Sequence, residues 1–395
     1  MNREDYRATV REWLARHATE YAEPREFDEK ELVQRSLAWL RNKSNAGYAA
    51  IAEPVAAGGA GGTPEQAVIF AEEESRYHIP TFTGISIGFN MAMVALKSHG
   101  TREQYQSFGK RTYGGEIAWC QLFSEPAAGS DLAALRTRAV KEGASWIVNG
   151  QKVWSSWAHH ADYGILIART DPSLPKHQGL TFFILDMHSP GVEVRPIRQI
   201  TGVSEFNETF LTDVVMPDAN RVGVEGEGWK VCMTVLASER NLSRGAVASA
   251  NNADSVASLV RRAAKLGKLD DAAVLAKLAD WYVREQGTKH FGQRLRESGG
   301  GDSDLATKIP ITKLISSRLM QETNAFLMDL DDFAGLFHET NPDQGETFYR
   351  YLWSSAMRIA GGADEVLRNQ LAERALGMPG EMRADKGVPF NQLPS

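Results

Sequence analysis

The sequence predicts an α+β chain of three successive parts: an N-terminal α-helical domain (1–117), a middle antiparallel β-domain (118–228) and a C-terminal bundle of long helices (229–395). Three observations predict it. Helical periodicity broken by Gly-rich loops fills the first part, short runs rich in β-branched and aromatic residues fill the second, and long amphipathic stretches fill the third. Helices, then strands, then helices is not the βαβ alternation of a doubly wound sheet, so the helices and strands belong to separate layers or domains.

The chain opens on "MNREDYRATVREWLARH", which mixes Arg with Glu and Asp and reads as an ordinary amphipathic helix rather than a leader. After "AAGGAGG" (56–62), Thr63-Pro64-Glu65 has the residue types of a helix start. The β region contains "IAWCQLF", "ASWIVNGQKVWSS", "YGILIART", "LTFFILDM", "VEVRPIRQI" and "ETFLTDVVM", and Asn149-Gly150 predicts a hairpin turn between two strands. Helical segments follow near 229–265, 270–296, 304–337 and 345–376, separated by "SGGGDSD" and "HETNPDQGE". There is no internal repeat and no low-complexity tract.

Composition narrows the function. With 43% hydrophobic and 24% charged residues the chain is an ordinary globular one, and a net charge of −6 gives no basic excess for nucleic acid or a membrane surface. The only two cysteines, Cys120 and Cys232, lie in apolar surroundings, which predicts a reducing, cytoplasmic setting. No run reaches the roughly 18 apolar residues of a membrane span. Negative motif findings narrow it further. "AAGGAGG" has no leading strand and no following Gly-Lys-Ser/Thr, so a phosphate loop is not expected. His159 and His160 are neighbours without a His-x-x-x-His or Cys-x-x-Cys frame, so no metal is expected. A Gly-x-Ser-x-Gly elbow is missing, which leaves serine hydrolysis without a motif.

Two stretches do suggest chemistry. In "CQLFSEPAAGSDLAALRTRAV" (120–140), Ser124, Gly129 and Ser130 offer hydroxyls and close backbone approach, and Trp154 of "NGQKVWSS" offers a flat apolar plate. Together these suit a planar heterocycle with a polar edge. In "WKVCMTVLASERNLSRGAVA" (229–248), Cys232, Val235, Leu236, Leu242 and Ala246 share one helix face, and Glu239 falls on it too. A carboxylate on such a stripe means a misassigned helix phase, a structural ion pair or a group kept from water for chemistry.

These motifs, with "GTREQ" (100–104), "DVVMPDANRVG" (213–223), "GEGWKVCMTVLASER" and "AGGADEVLRNQLAERALGMP" (360–379), run in family order along nearly the whole chain and resemble an acyl-CoA dehydrogenase. The resemblance implies FAD, an acyl-CoA substrate and α,β-dehydrogenation to a trans-2-enoyl-CoA. Carried over position by position, Gln121, Ser124, Gly129 and Ser130 match residues along the flavin ring and its polar edge. Trp154 and Ser156 match residues on the other face, and Ser130 and Arg240 match positions near the CoA arm. An electron-transfer flavoprotein is the implied electron acceptor, and a homotetramer or a heterotetramer with a paralogous subunit the implied assembly.

The chemistry needs a positioned base of raised pKa for the α-proton while hydride leaves Cβ for flavin N5, and donors for the thioester oxygen. Most of the family carry the base in a C-terminal loop; here that loop reads "IAGGADEV", with Gly361 at the matching position. A branch similar to the isovaleryl and long-chain enzymes places it on the first helix of the third domain, just before an arginine. That position is Glu239, followed by Arg240. Gly361 would then offer its backbone N–H to the thioester oxygen.

The sequence also departs from the family. The Arg-x-x-Phe-Gly element survives only as "RRAAKLGKL", with Leu266-Gly267 and a displaced Arg262; a Gln-x-x-Gly-Gly-x-Gly element is replaced by "DDFAGLFHETNPDQGETFYRYLW"; and the loop threonine is Ala363. Those losses fall on the dinucleotide half of the flavin site. Similar departures occur in a bacterial subgroup acting on steroid or other bulky acyl-CoA esters. Two alternatives to an active dehydrogenase therefore stay open: a silent or half-site subunit of a heteromeric enzyme, and a flavin oxidase or monooxygenase of the same fold.

Overall fold

A computed structural model describes residues 2–22, 28–77, 79, 82–246, 255–297, 308–330 and 342–393, without the side chains of 239–246, 295–297 and 342–346. The chain divides into two compact units. The first comprises 1–199, 203–238 and 383–395, and the second comprises 200–202 and 239–382.

The first unit begins with α1 (Arg3–His17), α2 (Glu29–Asn45), α3 (Pro64–Glu74), α4 (Thr83–Ile87), α5 (Met93–His99) and α6 (Arg102–Tyr113). The expected helix start at Thr63-Pro64 is present. Thr63 caps α3 and Gln66 returns the bond to the Thr63 N–H, closing a capping box with Pro64 in the first turn. Glu73 of α3 is 1% exposed, accepts from Arg7 and Arg11 and pairs with Arg76, which ties α1 to α3.

Eight strands follow: β1 (Trp119–Leu122), β2 (Arg138–Glu142), β3 (Ser145–Lys152), β4 (Tyr163–Arg169), β5 (Leu180–Asp186), β6 (Val192–Ile197), β7 (Phe206–Pro217) and β8 (Arg221–Val222). They form one sheet in the order β6-β7-β3-β2-β4-β5-β8, with β1 also against β4. Most pairs are antiparallel as expected, but β4 is paired in parallel by β1 over Trp119–Leu122 and by β2 at Arg138. β4 and β5 are buried on both faces: Ile165, Ile167, Phe182 and Ile184 pack with Met91, Leu96 and Trp119. Leu166, Phe183 and Leu185 instead pack with Trp146 and Val148. That double burial is why both strands read as unbroken apolar runs.

Asn149-Gly150 does not make the predicted hairpin. Both residues lie inside β3, and the β2–β3 turn is at Gly143, where φ is +60°. A register shift against β7 falls between Val148 and Gly150, and the Asn149 side chain bonds both Asp213 Oδ1 (2.9 Å) and the Asp213 N–H (2.9 Å). A Cβ at Gly150 would sit 2.4 Å from Thr137 Oγ1. This glycine therefore serves a bulge and a close approach rather than a turn.

α7 (Gly228–Ala246) starts in the first unit, and Val231, Cys232 and Val235 are buried on the face the sequence marked. Its first residue abuts β5: a Cβ at Gly228 would lie 2.5–2.7 Å from Thr181 backbone atoms. The second unit carries α8 (Val256–Lys265), α9 (Ala272–Glu297), α10 (Pro310–Leu330), α11 (Pro342–Ala356) and α12 (Asp364–Gln370) around Leu259, Leu278, Trp281, Phe326 and Leu330. Leu266-Gly267 is the end of α8, with Gly267 at φ +65°. α11 begins at Pro342, inside the stretch expected to be a loop, because proline suits a first helical turn. Among the described residues, no helix is long and apolar enough to cross a membrane.

Candidate active site

Two motifs far apart in sequence are joined by one buried ion pair. Lys152, at the end of β3, is 0% exposed and uses all three ammonium donors: on Glu125 Oε1 (2.8 Å), Phe123 O (3.0 Å) and Ile167 O (2.9 Å). Glu125 also accepts from the Arg136 N–H (2.6 Å) and the Thr137 N–H (2.9 Å). Burial alone would raise the Glu125 pKa, but the charge and hydrogen bond of Lys152, with the Thr137 and Arg136 donors, hold it below the usual range. For Lys152 burial dominates and draws its pKa down, with Glu125 opposing.

Around this pair the two motifs are stitched together. The Val153 N–H donates to Ser124 O (2.9 Å), and Glu125 and Ala128 close a tight turn through reciprocal backbone bonds of 3.0 Å. Gln121 and Ser124 are half-buried on the β1 side, Gly129 and Ser130 are exposed just past the turn, and Ser156 is half-buried in the loop after β3. Trp154 in that loop is 57% exposed, with its ring edge-to-face against Phe206 at 5.9 Å. Its φ is +60°, and that of Trp157 is +56°. Left-handed backbone is strained for bulky residues and collects at binding sites. Flanking bonds hold it: Ser155 N–H to Asn207 O (3.0 Å), Asn207 Nδ2 to Ser155 O (2.9 Å) and Trp157 N–H to Glu205 O (2.7 Å).

Of the six residues expected at the flavin, Ser124 is tied directly to the second motif through the Val153 N–H, and Gln121, Gly129, Ser130, Trp154 and Ser156 lie on the same two stitched segments. The side chains of Gln121, Ser124, Ser130 and Ser156 make no hydrogen bond to any described residue. A Cβ at Gly129 would meet nothing within 4 Å. Free donors, open space and an exposed indole fit a planar heterocycle with a polar edge. Sequence reasoning missed Glu125 and Lys152, although both lie inside the quoted motifs, because nothing local says that charges 27 residues apart are partners.

Glu239 and Arg240 lie on α7, but their side chains fall outside the described residues. Gly361 is exposed, with φ +66°, and Gly362 follows at φ +102°. Their loop is fixed within the second unit. Lys313 donates to Gly362 O (2.8 Å) and Asp364 Oδ1 (3.2 Å), and Arg358 bonds the other Asp364 oxygen. Burial would raise the Asp364 pKa, but Arg358 and Lys313 hold it low. Ala363 occupies the N-cap of α12 and supplies no side-chain cap. Ala363→Ser should add the missing acceptor and stabilise the unit by about 1 kcal/mol, read as a rise of roughly 2–4 °C in its thermal midpoint. An unchanged midpoint would mean the amides at that helix start are already satisfied.

Comparison with known proteins agrees with this organisation. Three family models match in order: "Acyl-CoA dehydrogenase, N-terminal domain" over residues 2–116, "middle domain" over 120–214 and "C-terminal domain" over 226–376. The chain is 38% identical over 322 residues to "Acyl-CoA dehydrogenase FadE34" of Mycobacterium tuberculosis, covering 81% of this chain and 43% of that protein. It thus spans less than half the length of that relative. With "Acyl-CoA dehydrogenase IpdE1" of Mycolicibacterium smegmatis it shares 33% identity over 397 residues, 96% of this chain and 99% of the other. Among solved structures, "Tcur3481-Tcur3483 steroid ACAD" aligns with a TM-score of 0.78 at 25% identity, covering 96% and 98%. The "ChsE4-ChsE5 complex from Mycobacterium tuberculosis" aligns at 0.74 and 26%, also covering 96% and 98%. With its three parts matched in order and relatives of that name along nearly its full length, this chain is an oxidoreductase belonging to the acyl-CoA dehydrogenase family.

Proposed function

We propose that the chain converts an acyl-CoA thioester into its trans-2-enoyl-CoA, with Glu239 abstracting the α-proton. The observation that carries this reading is the cradle: two motifs locked by Glu125–Lys152 that carry an exposed Trp154 and four polar side chains without a hydrogen bond to any described residue. FAD, when bound, supplies the acceptor for the β-hydride. Gln121, Ser124 and Ser130 would line its ring and polar edge, Gly129 would let backbone approach, and Trp154 and Ser156 would lie on the other ring face. Ser130 and Arg240 serve the CoA arm.

Support for Glu239 comes from backbone placement. α7 continues through position 239, four residues beyond the fully buried Val235 and seven beyond Cys232, so the position extends their stripe. The loop that holds the base in most of the family instead presents Gly361 and Gly362 in left-handed conformations that L side chains rarely adopt. Gly361 is proposed to offer its N–H to the thioester oxygen, where enolate charge develops. The boundaries 1–117, 118–228 and 229–395 are retained as the proposed domains, with the cytoplasm as the setting and an electron-transfer flavoprotein as acceptor. Relatives titled as a steroid enzyme and as a complex of two named chains support a bulky acyl group and a mixed tetramer with a paralogue.

The test is the visible spectrum of the protein expressed alone, titrated without oxygen against short, long, branched and steroid acyl-CoAs. Bleaching of the flavin band by one class is the expected result and names the substrate. A flavin-loaded protein unmoved by every class rejects the reading. A colourless protein that gains flavin only with a co-expressed paralogue would make this chain a half-site subunit.

A further inference from the structure

The C-terminal segment 383–393 belongs to the first unit and lies along the loop between β4 and β5. The Phe390 N–H donates to Leu174 O and the Asn391 N–H to Pro172 O, both at 2.9 Å, and Pro389 bridges Pro175. Two side chains reach from this seam toward the turn that carries Gly129 and Ser130. The Phe390 ring covers the Arg169 guanidinium, whose carbon is 3.5 Å from the ring centroid. Asp385 bonds Lys176 Nζ (2.5 Å), which also bonds Asp131 Oδ2 (2.6 Å) beside Ser130.

Arg169 is 3% exposed, and its hydrogen bonds go to carbonyls: Ala133 O (2.7 Å), Leu135 O (3.2 Å) and Lys176 O (3.3 Å). Burial draws its pKa down to about 10, with the Glu125 charge opposing. No carboxylate is within hydrogen-bonding reach among the described residues, so the negative face of Phe390 is its close counterpart on one side. Arg169 in turn grips Ala133 O within the Leu132–Ala134 helical turn and Leu135 O at its C-cap.

We propose that Phe390 and Asp385 are positioning residues, holding the Gly129–Leu135 turn, and with it Ser130, in the geometry that receives the cofactor and the CoA arm. The inference rests on the assignment of that turn to the flavin site. An aliphatic residue at 390 would cover Arg169 without attracting it. Alanine would admit water and loosen the guanidinium from its three carbonyls.

The test uses the full chain with Phe390→Ala, Phe390→Leu, Phe390→Trp and Asp385→Asn. Hydrogen exchange is read at the Ala134 and Leu135 amides, which bond Asp131 O and Leu132 O. FAD affinity of the stripped protein and the split between KM and kcat are read beside it. Phe390→Ala should speed exchange there and weaken FAD binding, each by about ten-fold. Phe390→Trp should restore both and Phe390→Leu neither. Asp385→Asn should raise KM for the CoA ester more than it lowers kcat. Unchanged exchange in Phe390→Ala, or rescue by leucine as full as by tryptophan, overturns the proposal. If the unaltered protein takes up no FAD, the flavin reading falls, and the exchange rates still decide whether the segment holds the turn.

Discussion

Glu239→Gln is expected to keep its flavin and its acyl-CoA binding but to lose substrate-driven bleaching, with turnover down about 10²–10⁴-fold. The size follows from the step removed. An α-proton of a thioester is a very weak acid, and glutamine keeps the shape of the side chain while offering no proton acceptor. Stopped-flow absorbance after mixing with the substrate class found in the spectral titration measures this directly. A structural role for Glu239 would show the opposite split, with normal bleaching and a lower melting temperature. Turnover near that of the unaltered protein would rule the base out and leave the reaction without a carboxylate on either element where the family carries one.

Lys152→Met should be the most destabilising of the single substitutions considered. Removing one partner of a buried ion pair leaves a buried charge, at a cost of about 3–5 kcal/mol. Glu125 keeps the Arg136 and Thr137 amides, which favours the lower end. A fall of roughly 6–12 °C in the melting of the first unit is expected, together with flavin loss on gel filtration. Adding Glu125→Gln to Lys152→Met should recover part of the loss, because the uncompensated charge is then gone. A shift below 2 °C for the single substitution would show that the pair does not hold the two motifs together.

The architecture was legible where its cause is local. The Thr63-Pro64 helix start needs only a capping hydroxyl, a proline and Gln66 three residues on. The continuous apolar runs of β4 and β5 likewise record double burial. The reading failed at Asn149-Gly150, whose turn chemistry is real but whose glycine answers to Thr137 just before the neighbouring strand. The cradle was half legible for the same reason. The hydroxyls and the indole are visible as residue types, whereas the Glu125–Lys152 pair and the Phe390–Arg169 contact exist only after distant segments meet.

The left-handed backbone at Trp154 and Trp157 has a consequence for how a ligand would arrive. Conformers of this kind cost about 1–3 kcal/mol each, and here the Asn207 and Glu205 bonds offset that cost within the fold itself. The indole plate is thus preorganised. Loop-ordering entropy is subtracted once, from the stability of the empty protein, and not again from each association. Substitutions that relax this loop would make a sturdier protein with a weaker grip, trading affinity for stability through residues that need never touch the ligand.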